Sequence, residues 1–422
     1  MSDDSSPSAR KFVFINRFFD PDESATSQLL TDLTRGLAAA GLSIHVLCSR
    51  QLYTNPKARL QPRQILHGVT IHRLPATRYG RAGLVGRFID YASFYISVGW
   101  KLLRLLKPKD IVIAKTDPPL ISIPAAFCAR FRGATLINWQ QDVFPEVATH
   151  LAANPLPRWI DGMLKSLRDW SMRAAATNVM IGHRMLEYFE QRGIPRSKLR
   201  VIENWADAEA IAPKAAGASA LRAQLELAEK FVVCYSGNLG RAHEFDTLIA
   251  AADLLRSETS IIFLIIGGGA KMESLRRAVK QRDLENFRFL PYQPRAALED
   301  SLAAGDVHLA SLLPPLEGLI MPSKLYGIMA AGRPLIFIGD ADGEIARVIR
   351  QAGCGVTIEV NGAKDLVGAI RWLKSEPEIR AAMGHRARES FVALYARNKA
   401  IEKWKLALRP DLSRDPRPPS AG

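Results

Sequence analysis

The sequence predicts an α/β protein of two doubly wound, Rossmann-like units, and three observations carry that prediction. Short continuous apolar runs alternate with amphipathic helical stretches, the pattern of parallel sheets covered on both faces. A chain of 422 residues is too long for one ordinary core. Polar and glycine-rich loops follow the apolar runs, at the strand ends where such sheets bind ligands. With 48% hydrophobic and 23% charged residues the composition is globular, neither disordered nor membrane-spanning.

Lys11–Ile15 reads as the first strand. Leu29, Leu30, Leu33 and Leu37 space a helix over 28–40, Gly41 ends it, and Ser43–Cys48 is the second strand. Further strands are expected at Val69–Arg73, Ile111–Ala114, Thr135–Trp139, Asn178–Ile181 and Leu199–Ile202. Helices are expected over 91–106, 119–131, 157–175 and 183–192. After an Ala/Gly-rich linker at 212–219, Phe231–Tyr235 opens the second unit. Ile261–Ile266, Asn286–Leu290, Asp306–Ala310, Leu335–Ile338 and Gly355–Ile358 continue its sheet. The expected organisation is a polar disordered leader at 1–10, units at 11–205 and 220–385, and a disordered tail at 409–422. A helix over 386–408 is expected to pack back on the first unit.

Charge is unevenly spread. Residues 1–205 hold 28 Lys and Arg against 16 Asp and Glu, and residues 206–422 hold 29 against 26. Such asymmetry points to an anionic partner of the first half: nucleic acid, anionic membrane or a phosphorylated substrate. Aromatic and basic residues mix between Thr77 and Lys107, and again from Pro157 to Arg173. Both stretches suit either a surface lying on anionic lipid or amphipathic helices packed on the sheet. The leader shows no apolar signal segment, and four separated cysteines in apolar surroundings (Cys48, Cys128, Cys234, Cys354) read as buried free thiols.

The loop from Asn16 to Ser27 is not a G-x-G-x-x-G turn and argues against a dinucleotide site. Asp20-Pro-Asp22 and Asp340-Ala-Asp342 have the form of a metal-binding pair, but two acids at that spacing are common in turns. Asp142 and Glu146 follow a strand and are candidates for orienting an acceptor hydroxyl; Asp142 equally suits a helix cap. In the second half, Gly237, Asn238 and Gly240 form a glycine-rich turn after a strand, with Arg241 beside it. Gly267–Gly269 is a second close-approach point. Residues 314–334, PPLEGLIMPSKLYGIMAAGRP, place Glu317 just before a helix and Lys324 at its start, with Ser323 as its expected cap. These three loops converge on one crevice that suits a diphosphate, with Arg241 and Lys324 as its cations.

The chain resembles the glycosyltransferases of family 4, with the GT-B architecture of two facing Rossmann-like domains and a cleft between them. The resemblance rests on Pro-Asp-Glu-Ser-Ala-Thr at 21–26, Gln141-Asp-Val-Phe-Pro-Glu146, Asn204-Trp-Ala-Asp207, Ser236-Gly-Asn-Leu-Gly240, Gly267-Gly-Gly and MPSKLYGIMAAGRP. It is strongest with bacterial enzymes that add N-acetylfucosamine or similar sugars to polyprenyl-diphosphate-linked O-antigen or capsule intermediates. It implies a nucleotide sugar, UDP-linked, held by the C-terminal domain, and an acceptor held by the N-terminal one. Arg241 and Lys324 would neutralise the departing diphosphate, and the Gly237–Gly240 turn, Gly268, Gly318 and Leu319 would cradle its oxygens. Glu317 would hold sugar hydroxyls, Tyr292 and Gln293 would flank the base, and Asp142 would serve the acceptor. It further implies retention of anomeric configuration without metal or cofactor, at the cytoplasmic face of the membrane, with no nucleic-acid partner. Alternatives are a nucleotide-sugar 2-epimerase of the same fold and a basic nucleic-acid-binding protein. One departure stands out: counting back from Met329-Ala-Ala-Gly332, Gly327 occupies the place of a ribose-binding glutamate.

Overall fold

The computed structural model describes residues 10–52, 55, 58–80, 83–151 and 157–409. The expected leader and tail lie outside the described residues, save Arg10 and Arg409. The described residues fall into two compact units. Met1–Thr149, Asn154–Glu203 and Ala400–Gly422 bound the segments of the first, His150–Ala153 and Asn204–Lys399 those of the second.

Eight described strands build the first unit's sheet: β1 (Lys11–Ile15), β2 (Ser43–Ser49), β3 (Arg63–Leu66), β4 (Val69–Leu74), β5 (Ile111–Lys115), β6 (Thr135–Trp139), β7 (Thr177–Met180) and β8 (Leu199–Val201). Their order is β3-β4-β2-β1-β5-β6-β7-β8, parallel except for the β3/β4 pair. All five β5 residues are buried, as a strand covered on both faces requires. From β1 the chain winds one way to β2 and β4 and then returns to lay β5 on the other side. The topological switch point therefore lies at the C-terminal ends of β1 and β5, where open α/β sheets hold ligands.

The second unit repeats this plan with β9 (Phe231–Asn238), β10 (Ile261–Gly268), β11 (Phe287–Leu290), β12 (Val307–Ser311), β13 (Leu335–Ile338) and β14 (Gly355–Ile358). The order is β11-β10-β9-β12-β13-β14, all parallel, so the switch point lies between β9 and β12. β9 and β10 run three and two residues further than their apolar runs, pairing Gly237 with Gly267 and Asn238 with Gly268. Three of these four residues are glycines, and at the Gly237/Gly267 pair neither strand carries a side chain to separate the backbones. A Cβ on Gly267 would fall 2.1 Å from the Gly237 carbonyl oxygen.

The expected helix over 386–408 is two helices, Pro377–Leu394 and Arg397–Ala407. The first packs within the second unit, and the chain enters the first unit at Ala400. There Trp404 is fully buried against Trp139 and Phe14, with ring centroids at 4.8 and 6.5 Å. Within the second unit, Ala206 bridges Ala396 and Asp207 pairs with Arg397 at 2.8 Å. All four cysteines are buried and free, as expected.

Burying an indole in this way predicts that Trp404→Ala destabilises the first unit by about 3–5 kcal/mol. Trp159→Ala, at a residue 72% exposed, shifts stability by less than about 0.5 kcal/mol. Urea unfolding followed by circular dichroism measures both; equal midpoints for the two variants would contradict the anchoring role of Trp404.

Candidate active site

Lys324 begins the helix Lys324–Ala330 and reaches back to the end of β9. Its Nζ donates to the Asn238 carbonyl at 2.9 Å, lies 3.2 Å from His243 Nε2, and sits 4.8 Å from the centre of the Tyr235 ring. None of these partners is anionic. The side chain keeps part of its surface open to solvent yet lies deep among protein atoms, and that desolvation brings its ammonium down to about 7. Gly237 makes the approach possible. Its φ of +127° suits glycine, and a Cβ there would stand 2.9 Å from Lys324 Cε.

The neighbouring turn is braced by the second glycine run. Leu239 N donates to the Gly268 carbonyl at 2.7 Å, and a Cβ on Gly269 would meet Asn238 Oδ1 at 2.4 Å. The Tyr292 hydroxyl reaches the Gly268 carbonyl at 3.3 Å and Asn238 Oδ1 at 3.5 Å, leaving the ring 58% exposed over this turn. Gln293 is turned to its own loop, donating to the Pro291 carbonyl at 3.1 Å. Arg241 is exposed on the turn that follows Gly240.

Three expectations for the 314–324 loop are corrected. Glu317 does not project freely, because its Oε1 accepts the Glu344 amide at 2.7 Å and so caps the helix Glu344–Ala352. Burial raises its carboxyl, while the Glu344 and Gly318 amides oppose that rise. The Gly318 amide is thus directed to this carboxylate and the Leu319 amide to the Leu316 carbonyl at 3.0 Å, so neither waits open for a phosphate. The cause is the 3₁₀ turn Pro314–Leu316, which folds the loop onto itself. Ser323 precedes the helix in αR geometry and makes no side-chain cap.

At the switch point of the first unit, Lys115 ends β5. Its Nζ donates to the Thr26 carbonyl at 2.8 Å and lies 4.0 Å from the Trp139 ring centre. Burial brings this ammonium to about 7, with Asp117 and Asp142 opposing the fall. A pocket beside it is lined by Lys115, Thr116, Gln140, Asp142, Phe144 and Arg168, among others. Asp142 meets solvent at this pocket but is recessed in the fold. Desolvation first and Asp117 second push its carboxyl up to about 6, against the pull of Lys115. Burial also raises Asp117, which accepts from Thr26 Oγ1 at 3.3 Å. Glu146 serves structure instead: it is buried, paired with Arg168 at 2.5 Å, and accepts from the Tyr188 hydroxyl.

The Asp-x-Asp pairs are turn features. Asp340 Oδ1 accepts the Asp342 amide at 2.8 Å, and Asp22 Oδ1 accepts the Ser24 amide at 2.9 Å. Among the described residues no three His, Cys, Asp or Glu side chains gather as a metal-holding group. Sequence reasoning missed Lys115, Asp117, Tyr235 and His243. The available signals were a lone lysine closing an all-apolar strand and an imidazole inside a glycine-rich turn.

A third surface feature lies on the first unit. Three neighbouring helices, Leu84–Leu105, Ser122–Arg132 and Arg158–Ala174, carry exposed Phe88, Ile96, Trp100, Phe127, Phe131 and Trp159. Phe127 lies tilted against Trp170, ring centroids 4.7 Å apart, and Arg104 lies 4.1 Å over Trp100. No described helix is long and apolar enough to cross a membrane.

Residues 219–390 match the family of glycosyl transferases group 1, and residues 26–205 match the glycosyl transferase 4-like domain. The fold matches sucrose-phosphate synthase of Thermosynechococcus elongatus with a TM-score of 0.74, at 17% identity over 94% of this chain and 98% of that one. The two units thus match one glycosyl transferase domain each, and the fold is that of GT-B. The chain is 27% identical to WcaI of Escherichia coli (strain K12), whose name reads "Putative colanic acid biosynthesis glycosyl transferase". That similarity spans 84% of this chain and 89% of WcaI. Its fold also matches HepE of Anabaena, solved in complex with UDP-glucose, with a TM-score of 0.70, at 14% identity over 94% of this chain and 99% of HepE.

An ammonium that titrates near pH 7 is mostly a free amine at pH 8. Acetylation of Lys324 by acetic anhydride is therefore expected to rise up to about pH 8 and level off, whereas an ordinary lysine, near 10.4, keeps gaining reactivity beyond pH 9. Competitive labelling read by mass spectrometry gives the midpoint. A Lys324 midpoint above about 9 would mean that the side chain is not desolvated.

Proposed function

We propose that this transferase moves a sugar from a UDP-linked donor to a polyprenyl-diphosphate-linked saccharide, with retention of configuration and without a metal. One observation carries the reading: a desolvated ammonium, Lys324, held at the β9/β12 switch point by uncharged partners only. A diphosphate supplies the counter-charge that the protein does not. Arg241, exposed on the adjoining turn, is the second cation. Tyr292, with its exposed ring beside Gly268, suits stacking on the uracil base. In this scheme the bond from the anomeric carbon to the β-phosphate oxygen breaks and a bond to the acceptor hydroxyl oxygen forms on the same face. The hydroxyl proton passes to the departing diphosphate, which Lys324 and Arg241 stabilise. Asp142 orients the acceptor hydroxyl. HepE's complex with UDP-glucose and the name given to WcaI, which refers to colanic acid biosynthesis, both favour the reading.

Lys324→Ala and Arg241→Ala are each expected to lower kcat/KM for the donor by about 100-fold or more, with melting temperatures near wild type. Thermal-shift titration with UDP-, GDP- and dTDP-sugars, UDP-N-acetylfucosamine included, identifies the donor for that assay. Near-wild-type turnover in both variants would remove the reading. Incubation with donor alone separates transfer from 2-epimerisation, which yields an epimer without any acceptor.

The acceptor class implies a membrane, and the three-helix face fits one. Its exposed aromatics flanked by Arg and Lys suit the headgroup layer of an anionic bilayer at the cytoplasmic side. Trp100→Glu combined with Phe131→Glu is expected to cut co-sedimentation with phosphatidylglycerol vesicles by about fivefold or more. Equal retention of variant and wild type would exclude this face as the lipid contact.

A further inference from the structure

His243 has no part in the scheme above, yet its ring is among the most firmly fixed groups of the donor crevice. It is buried in the loop between β9 and the helix Asp246–Leu254. Its Nδ1 lies 2.5 Å from the Ser311 carbonyl oxygen at the end of β12. A carbonyl only accepts, so Nδ1 carries the proton and Nε2 keeps its lone pair. That lone pair faces Lys324 Nζ at 3.2 Å. The surrounding backbone is pinned as well: Glu244 N donates to Ser311 Oγ at 3.2 Å, and Lys271 Nζ to the His243 carbonyl at 2.6 Å. The imidazole therefore bridges the two strands of the switch point and ends on the ammonium.

We propose that His243 is a positioning residue whose Nε2 aims the Lys324 ammonium at the diphosphate of the donor. An ammonium has three N–H donors on a flexible four-carbon stem. The Asn238 carbonyl takes one and His243 Nε2 takes a second. Two fixed acceptors determine where the third N–H points, and that third donor is the one a phosphate oxygen receives. The chemistry of the partner matters. A carboxylate at 243 would pair with the ammonium and compete with the ligand, and a second cation would repel it. A neutral imidazole does neither, and burial together with the Lys324 charge keeps it neutral, with its titration down at about 4.

This inference rests on the donor-binding role of Lys324, so its test includes both residues, with UDP as the calorimetric probe. His243→Asn keeps a donor for the Ser311 carbonyl but has no acceptor at the Nε2 position. His243→Gln places an acceptor there and gives up the donor. UDP affinity is expected to fall about tenfold in the Asn variant and to stay within about threefold of wild type in the Gln variant, whichever melts lower. His243→Leu serves as a second non-accepting variant if Asn does not fold. The reverse order, or both non-accepting variants binding like wild type, overturns the role of His243. If Lys324→Ala binds UDP like wild type, the donor reading and this inference fall together. If only Lys324→Ala loses affinity, the donor reading stands and the His243 role does not.

Discussion

A positive charge that protein partly desolvates and that has no negative partner is the constraint around which the second unit is built. Transferring an ammonium out of water costs several kcal/mol unless an anion or good hydrogen bonds compensate it. Lys324 has a carbonyl, an imidazole lone pair and an aromatic face, which hold it in place but leave its charge unbalanced. The surrounding features follow from fitting that side chain. Gly237 must lack a Cβ, β9 and β10 must run on through the Gly237/Gly267 pair, and the helix beginning at Lys324 must start close to the strand ends.

The first unit answers the same topology with opposite electrostatics. Lys115 also ends up at a switch point, also desolvated and also near 7, but Asp117 and Asp142 lie close enough to oppose the shift. There the charge is answered within the protein, and an added anion gains little. A pocket with balanced charge and a carboxyl raised to about 6 suits a neutral, hydroxyl-bearing group. One fold plan thus carries a desolvated lysine in both copies, and the difference is the presence of carboxylates beside the lysine in the first.

Most of the fold was legible because parallel strands buried on both faces are written as continuous apolar runs. Lys11–Ile15, Thr135–Trp139, Leu335–Ile338 and Gly355–Ile358 have the bounds that their runs suggest. β3 was not legible: Arg63–Leu66 is a short edge strand of alternating exposure among polar residues, formed by antiparallel pairing with β4. The helix expected from 91 begins at Leu84, since its first turns expose Val85, Phe88 and Ile89 and so show no buried period. At the site, glycine-rich turns and a lone lysine announced Gly237, Gly240 and Lys324. The role of His243 depends on Ser311, 68 residues away, and on a carbonyl direction that no local pattern encodes. Glu317 was misjudged for the same reason, its partner being the amide of Glu344 across the loop.

Gly327 illustrates how space and chemistry separate. Glycine inside a helix costs about 1 kcal/mol relative to alanine, so some reason for it is expected. Crowding is not that reason, because an added Cβ would meet only Leu302 Cδ1, at 3.8 Å. The position lies three residues beyond Lys324, on the same face of the helix Lys324–Ala330. Glycine there adds no side chain beside Lys324, and the helix Lys324–Ala330 carries no carboxylate at any other position, so the charge of Lys324 has no counter-charge from its own helix.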